Sequence, residues 1–177
     1  DPDDPTKDVA PGERGELIVR GPQVFSGYYG KPEETESVFI DGWFRTGDIV
    51  TIDDAGFVRI VDRIKELIIT GGFNVAPTEV ENALRQHPQV EDAAVVGLPS
   101  EHSGEEVVAA VVLSPGVQNP DVEGIREFAR GILTPYKVPR RLFVVDELPK
   151  SLIGKVLRRQ VRESLLRLTQ PSGDSAG

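Results

Sequence analysis

Three short segments hold the side chains whose type and spacing suit chemistry. In Trp43-Phe44-Arg45-Thr46-Gly47-Asp48, an aspartate follows a glycine at the expected start of a strand. Such a carboxylate either closes a turn or accepts hydrogen bonds from two adjacent hydroxyls, as acidic residues do on ribose. In the stretch from Asp62 to Asn74, charges at 62, 63, 65 and 66 precede the pair Gly71-Gly72. The charges suit a solvated linker, and the glycines either turn the chain or let backbone approach a ligand closely beside a hinge. In Pro149-Lys150-Ser151-Leu152-Ile153-Gly154-Lys155, the last lysine is expected at a helix start, where the helix dipole disfavours a cation. On a glycine-bearing loop it is either a solvated lysine or a mobile point charge for a phosphate or carboxylate.

Composition removes several other chemistries. There is no cysteine, hence no disulfide frame and no thiolate, and two histidines, His87 and His102, do not make a His-rich zinc site. No metal site is expected in this chain. His102 and Ser103 are neighbours, but nothing nearby resembles an oxyanion element, and both histidines read as surface or capping groups. With 20 basic and 29 acidic side chains the net charge is −9, which opposes nonspecific binding to nucleic acid. The charge is uneven: residues 137–168 hold 9 basic and 3 acidic groups. The basic helix there, with Arg158, Arg159, Arg162 and Arg167, lacks the interleaved aromatics of a strand-stacking nucleic-acid binder. A small phosphate-rich ligand fits it better.

The elements that must position these residues follow from period and punctuation. The opening, rich in Pro, Asp and Gly, reads as a loop before a strand at Glu16–Arg20, and a helix is expected from Pro32 through Phe39. Asp53, Asp54 and Gly56 mark a turn between strands Ile49–Ile52 and Phe57–Val61, so residues 16–61 read as mainly β. After Asp62 strands and helices alternate. Leu67–Ile69 is a strand, Thr78 and Glu81 form a capping-box pattern for a helix of about three turns, and Ala93–Leu98 and Val107–Leu113 are buried-sheet runs. Asn119-Pro120 is read as the cap of the next helix, Leu142–Val145 as a strand, and Val156–Leu168 as a final helix. The longest apolar run, Val107–Leu113, is far below the ~20 residues of a membrane span. A chain with no methionine that opens on Asp1 reads as an internal or C-terminal piece of a longer protein, and no signal-like segment follows.

In order, GELIVRGPQVFSGYYGKPEET, GWFRTGD, GFVRIVDRIKELIITGGFNVAPTEVE and PKSLIGKVLRR resemble the C-terminal third of the adenylate-forming superfamily. That superfamily contains acyl-CoA synthetases, peptide-synthetase adenylation domains and luciferases. The match runs over residues 12–168, and its wording is most similar to fatty acyl-CoA ligases. The resemblance implies an α+β chain: a small mainly-β remnant of the large N-terminal domain over 1–61, a hinge at 62–65, a compact two-layer, mobile C-terminal domain over 66–170, and a flexible tail at 171–177. It also implies an AMP-forming acid–thiol ligase, in which a fatty carboxylate and ATP give acyl-adenylate before CoA accepts the acyl group. By position, Asp48 and Arg63 resemble the ATP/AMP ribose and phosphate contacts, Lys65 the hinge, Gly71 and Gly72 the lining of the CoA passage, and Lys155 the catalytic lysine of adenylation. The family's phosphate loop, magnesium-holding segment and acyl pocket have no match here. The chain alone is therefore expected to be inactive, with Mg2+ bound mainly by the N-terminal domain. Expected partners are fatty acid, ATP, CoA and that domain, with no nucleic acid, a peripheral membrane contact left open, and a cytoplasmic location. An enzyme that loads a carrier protein, or a noncatalytic binding module docking through the basic helix, are the alternatives.

Overall fold

In the computed structural model, residues 1–2 and 4–169 are described, so the tail expected at 171–177 lies outside the described residues. The chain divides into two compact units, Asp1–Glu66 and Leu67–Gly177.

The first unit is built on one long strand. β1 (Gly15–Val19), α1 (Pro32–Ser37), β2 (Phe39–Ile40), β3 (Trp43–Ile52) and β4 (Val58–Arg63) precede a single 3-10 turn, Ile64–Glu66. β3 is central: β1 pairs along it from Phe44 to Val50, β2 pairs at Trp43 and Phe44, and β4 pairs from Asp48 to Ile52, all antiparallel. The aspartate read at a strand start therefore lies mid-strand. The hidden signal is the Asp41-Gly42 turn, both residues at positive φ, which folds β2 back on β3 and starts that strand six residues earlier than Ile49. Phe25, Tyr28, Phe39 and Phe44 pack ring against ring at 5.0–5.8 Å between centroids. Aromatic clustering of this kind helps a small sheet that has little other core.

The second unit holds the larger core. Its strands are β5 (Ile68–Thr70), β6 (Phe73–Val75), β7 (Val90–Ser100), β8 (Gly104–Leu113) and β9 (Arg141–Val144). Its helices are α2 (Pro77–Leu84), α3 (Val122–Arg130) and α4 (Arg158–Thr169). The sheet order is β6-β5-β8-β7, with β9 alongside β8 as its one parallel pairing. Alternation along the central hairpin explains why its strands are apolar throughout. Ala93, Val95, Val107, Ala109 and Val111 pack with Val80, Leu84, Ile125 and Ala129 from α2 and α3. The intervening Ala94, Val96, Leu98, Val108 and Ala110 pack with Val161 and Leu165 of α4 and with Leu148. A sheet covered on both faces needs no polar side. The α+β class is as expected, and α4 supplies a layer on the face opposite α2 and α3.

Two expected caps are replaced. α2 runs for eight residues and its N-cap, Ala76, has no side chain to offer; Thr78 and Glu81 are engaged by Arg158 instead. α3 is capped by Asp121, whose Oδ1 accepts the Gly124 N–H at 2.8 Å, rather than by Asn119-Pro120.

Candidate functional site

Asp48 is positioned by its strand neighbours. The Glu16 side chain, 2% exposed, accepts from Arg45 Nη2 at 2.7 Å and Nε at 2.9 Å, and its other oxygen accepts the Gly47 N–H at 3.2 Å. Thr46 Oγ1 donates to the Leu17 carbonyl at 2.7 Å and accepts the Asp48 N–H at 3.1 Å. Gly47 sits at φ 71°, a conformation open to glycine. The backbone that carries Asp48 is thus held by its strand neighbours. Arg63, its register partner on β4, brings Nε to 3.0 Å from Asp48 Oδ1. The pair is close but badly directed: Oδ1 is buried and has no hydrogen-bond partner among the described residues. The Asp48 side chain is 17% exposed, so an incoming donor meets the part of the carboxylate that Oδ1 does not occupy. Beside it Tyr28, Phe44, Thr46, Gly47, Arg63 and Lys65 line an open depression of about 310 Å³. Two of the expected residues, Asp48 and Arg63, therefore meet, with Lys65 on the same rim. Sequence reasoning missed Glu16 and Arg45, whose pairing spans 29 residues and shows no local pattern.

The other expected residues belong to the second unit. Gly71 and Gly72 make the two-residue turn between β5 and β6 at φ 57° and 83°. The Gly71 N–H donates to the Ser103 carbonyl at 2.9 Å, so this turn lies at the β7–β8 turn. A Cβ at either glycine would meet nothing within 4 Å. Next to the turn, a depression of about 310 Å³ is lined by Gly71, Phe73, Arg126, Arg130, Tyr136 and Arg140. Phe73 and Tyr136 stack there at 4.5 Å and 20°. Ser103 is occupied, its hydroxyl donating to the Glu105 carbonyl at 2.6 Å.

Lys155 stands at the opposite end. α4 begins at Arg158, so the lysine sits on the preceding loop and escapes the unfavourable end of the helix dipole. The loop is a tight hairpin: Lys150 pairs with Val156, the Ser151 N–H donates to the Lys155 carbonyl at 2.8 Å, and Gly154 turns at φ 79°. Lys155 is exposed, and Leu152 and Ile153 at the tip are 108% and 89% exposed. Lys150 Nζ lies 2.8 Å from Asp92 Oδ2. Asp92 pairs with Val112, and Ser100 with Gly104, so the glycine turn and the lysine loop stem are anchored at the two ends of one hairpin. At about 3.3 Å per residue that separation is about 26 Å.

Residues 79–155 match the family model of the AMP-binding enzyme C-terminal domain. The chain carries an AMP-binding enzyme C-terminal domain. The long-chain-fatty-acid–CoA ligase of Escherichia coli O157:H7 is 48% identical over 163 residues, which are 91% of this chain and 28% of that protein. The ligase of the same description from Bacillus subtilis (strain 168) is 49% identical over 155 residues, 88% of this chain and 28% of that protein. The crystal structure of ATP-bound MatB from Rhodopseudomonas palustris superposes with a TM-score of 0.82 at 40% identity, covering 92% of this chain and 32% of that one. The chain thus corresponds to the C-terminal part of adenylate-forming enzymes and spans under a third of their length. No helix among the described residues is long and apolar enough to cross a membrane. The AMP-binding C-terminal domain also has no group of three or more ligating side chains placed to hold a metal among the described residues.

Proposed function

We propose that this chain is the C-terminal part of an AMP-forming fatty acyl-CoA ligase, with ATP, a fatty acid and CoA as substrates. The observation that carries the mechanism is a separation within the second unit, which offers an exposed lysine loop at one end and a bare glycine turn at the other. Two ends suit two half-reactions, presented in turn by pivoting about Lys65 in the turn Ile64–Glu66 that follows β4, so that of the stretch expected at 62–65 the first two residues stay in the strand. In the first, a carboxylate oxygen attacks the α-phosphorus of ATP and the bond to pyrophosphate breaks. Lys155 bridges carboxylate and α-phosphate, where a cation offsets the charge that develops. Asp48 accepts from a ribose hydroxyl through the part of its carboxylate that reaches solvent, and Arg63 holds the carboxylate and the nucleotide together. In the second, the CoA thiol attacks the acyl carbonyl and the bond to AMP breaks. The thiol-bearing arm passes Gly71 and Gly72, where the absence of Cβ atoms leaves room, and the Phe73–Tyr136 stack with Arg140 suits the aromatic, phosphate-bearing end of CoA.

The basic helix gives little support to a separate docking role. Arg158 is spent on Glu81 and Arg162 donates to the Gly97 carbonyl, while Arg159, 91% exposed, pairs only with Glu163 one turn along the helix. Loading of a carrier protein differs from CoA transfer only in the thiol, and a thiol-acceptor assay separates them.

In the full-length enzyme, Lys155→Ala is expected to cut adenylation by a few hundredfold, about 3–4 kcal/mol in the barrier, while supplied acyl-adenylate still reacts with CoA. Pyrophosphate release and thioester formation, measured separately, check this; equal losses in both would remove Lys155 from its role.

A further inference from the structure

The Lys155 loop has nothing packed beneath its tip, since Leu152 and Ile153 stand in solvent. Its orientation must come from its two stems. The first stem ends in Lys150, paired with Asp92 Oδ2 at 2.8 Å. The second runs into Arg158, whose Nε and Nη2 donate to Glu81 Oε1 at 2.9 Å and Oε2 at 2.8 Å, and whose Nη2 also donates to Thr78 Oγ1 at 2.8 Å. Arg85 joins the two acids: its Nε is 3.2 Å from Asp92 Oδ1 and its Nη2 is 3.5 Å from Glu81 Oε2. Glu81, 4% exposed, is held in turn by the Val95 N–H at 3.0 Å. The charges alternate without a break along Lys150, Asp92, Arg85, Glu81 and Arg158, and tie both stems to α2 and β7.

We propose that this ionic chain is the device that aims Lys155, with Asp92 and Glu81 as positioning residues. The proposal rests on the reading of Lys155 as the lysine of adenylation. Two features favour a positioning role over generic stability. The chain converges on the two stems of one short loop, although its members lie as far as 77 residues apart in sequence. It is also made of directional, charge-assisted bonds, which fix an angle where apolar contacts would allow sliding. A displacement of about 1 Å at a reacting group costs up to about a hundredfold in rate.

The test uses the full-length enzyme. Asp92→Asn and, separately, Lys150→Met are expected to lower kcat of adenylation about ten- to hundredfold, leaving KM for ATP within about twofold and thioester formation from supplied acyl-adenylate near the parent rate. Lys150→Arg keeps the charge and is expected to keep the rate. In a Lys155→Ala background, Asp92→Asn is expected to slow adenylation no further, because its only route to the reaction is through the missing lysine. Loss of the same factor with and without Lys155, or equal loss in both half-reactions, overturns the positioning role alone. Parental adenylation by Lys155→Ala itself overturns the reading of Lys155 and the proposal with it. Lys150 is half exposed, so Lys150→Met tests the role even where Asp92→Asn fails to fold.

Discussion

Asp92 titrates below the ordinary carboxylate value of 3.8. Burial pulls its pKa up, and the Lys150 ammonium, the Ala93 N–H and the Arg85 guanidinium together pull it further down. A carboxyl whose pKa is lower in the folded than in the unfolded chain contributes stability above the unfolded value and loses it as pH falls through the folded one. The window is therefore the acid side of pH 3.8. Urea midpoints are expected to fall with pH there, and more shallowly for Asp92→Asn; parallel slopes would mean that the pairing adds nothing. Residues of this kind are only half legible in sequence. Asp48, Gly71, Gly72 and Lys155 stand in recognisable words of sequence, whereas Glu81 reads as half of a helix cap. Three residues from Thr78, it fits that spacing, and only tertiary structure brings Arg158 in to claim both.

Among the elements, α4 carries the clearest prediction. Leu165 is 1% exposed and closes the second face of the sheet with Val161. Leu165→Ala is expected to cost about 2–5 kcal/mol in urea unfolding of the chain, as buried leucines do. A loss below about 1 kcal/mol would show that the helix merely rests on the sheet. The long elements are visible in sequence because β7 and β8 are continuous apolar runs and α4 has a helical stripe. β2 and β6 are not. They are two and three residues long and have too few side chains for a period to register. Their signal lies in the turns, Asp41-Gly42 and Gly71-Gly72, whose positive φ values suit the tight reversal of a hairpin. Lys155 likewise reads as a helix start because the helical pattern extends to Val156; the pairing of Lys150 with Val156 holds those residues out of the helix.

For the whole molecule, the 177-residue chain alone is expected to fold in its second unit and to catalyse neither half-reaction. Asp48, Arg63 and Lys155 offer two or three hydrogen bonds, typically about 1 kcal/mol net each and so about 2–3 kcal/mol in all, against the ~4 kcal/mol that millimolar binding requires. Calorimetric titration with ATP, beside a pyrophosphate-release assay, decides it: submillimolar affinity or turnover above background would contradict the expectation. The topology of that second unit also dictates an order of assembly. β7 and β8 are neighbours in sequence and can zip together as soon as Leu113 is available, but the strand that joins β8 in parallel begins only at Arg141. During synthesis the edge of β8 from Val108 to Val111 therefore waits, apolar and with open backbone groups, until α3 has been made and β9 has emerged. In that interval the nascent chain offers other chains a ready strand to pair with, a hazard that exists before any substrate has been bound.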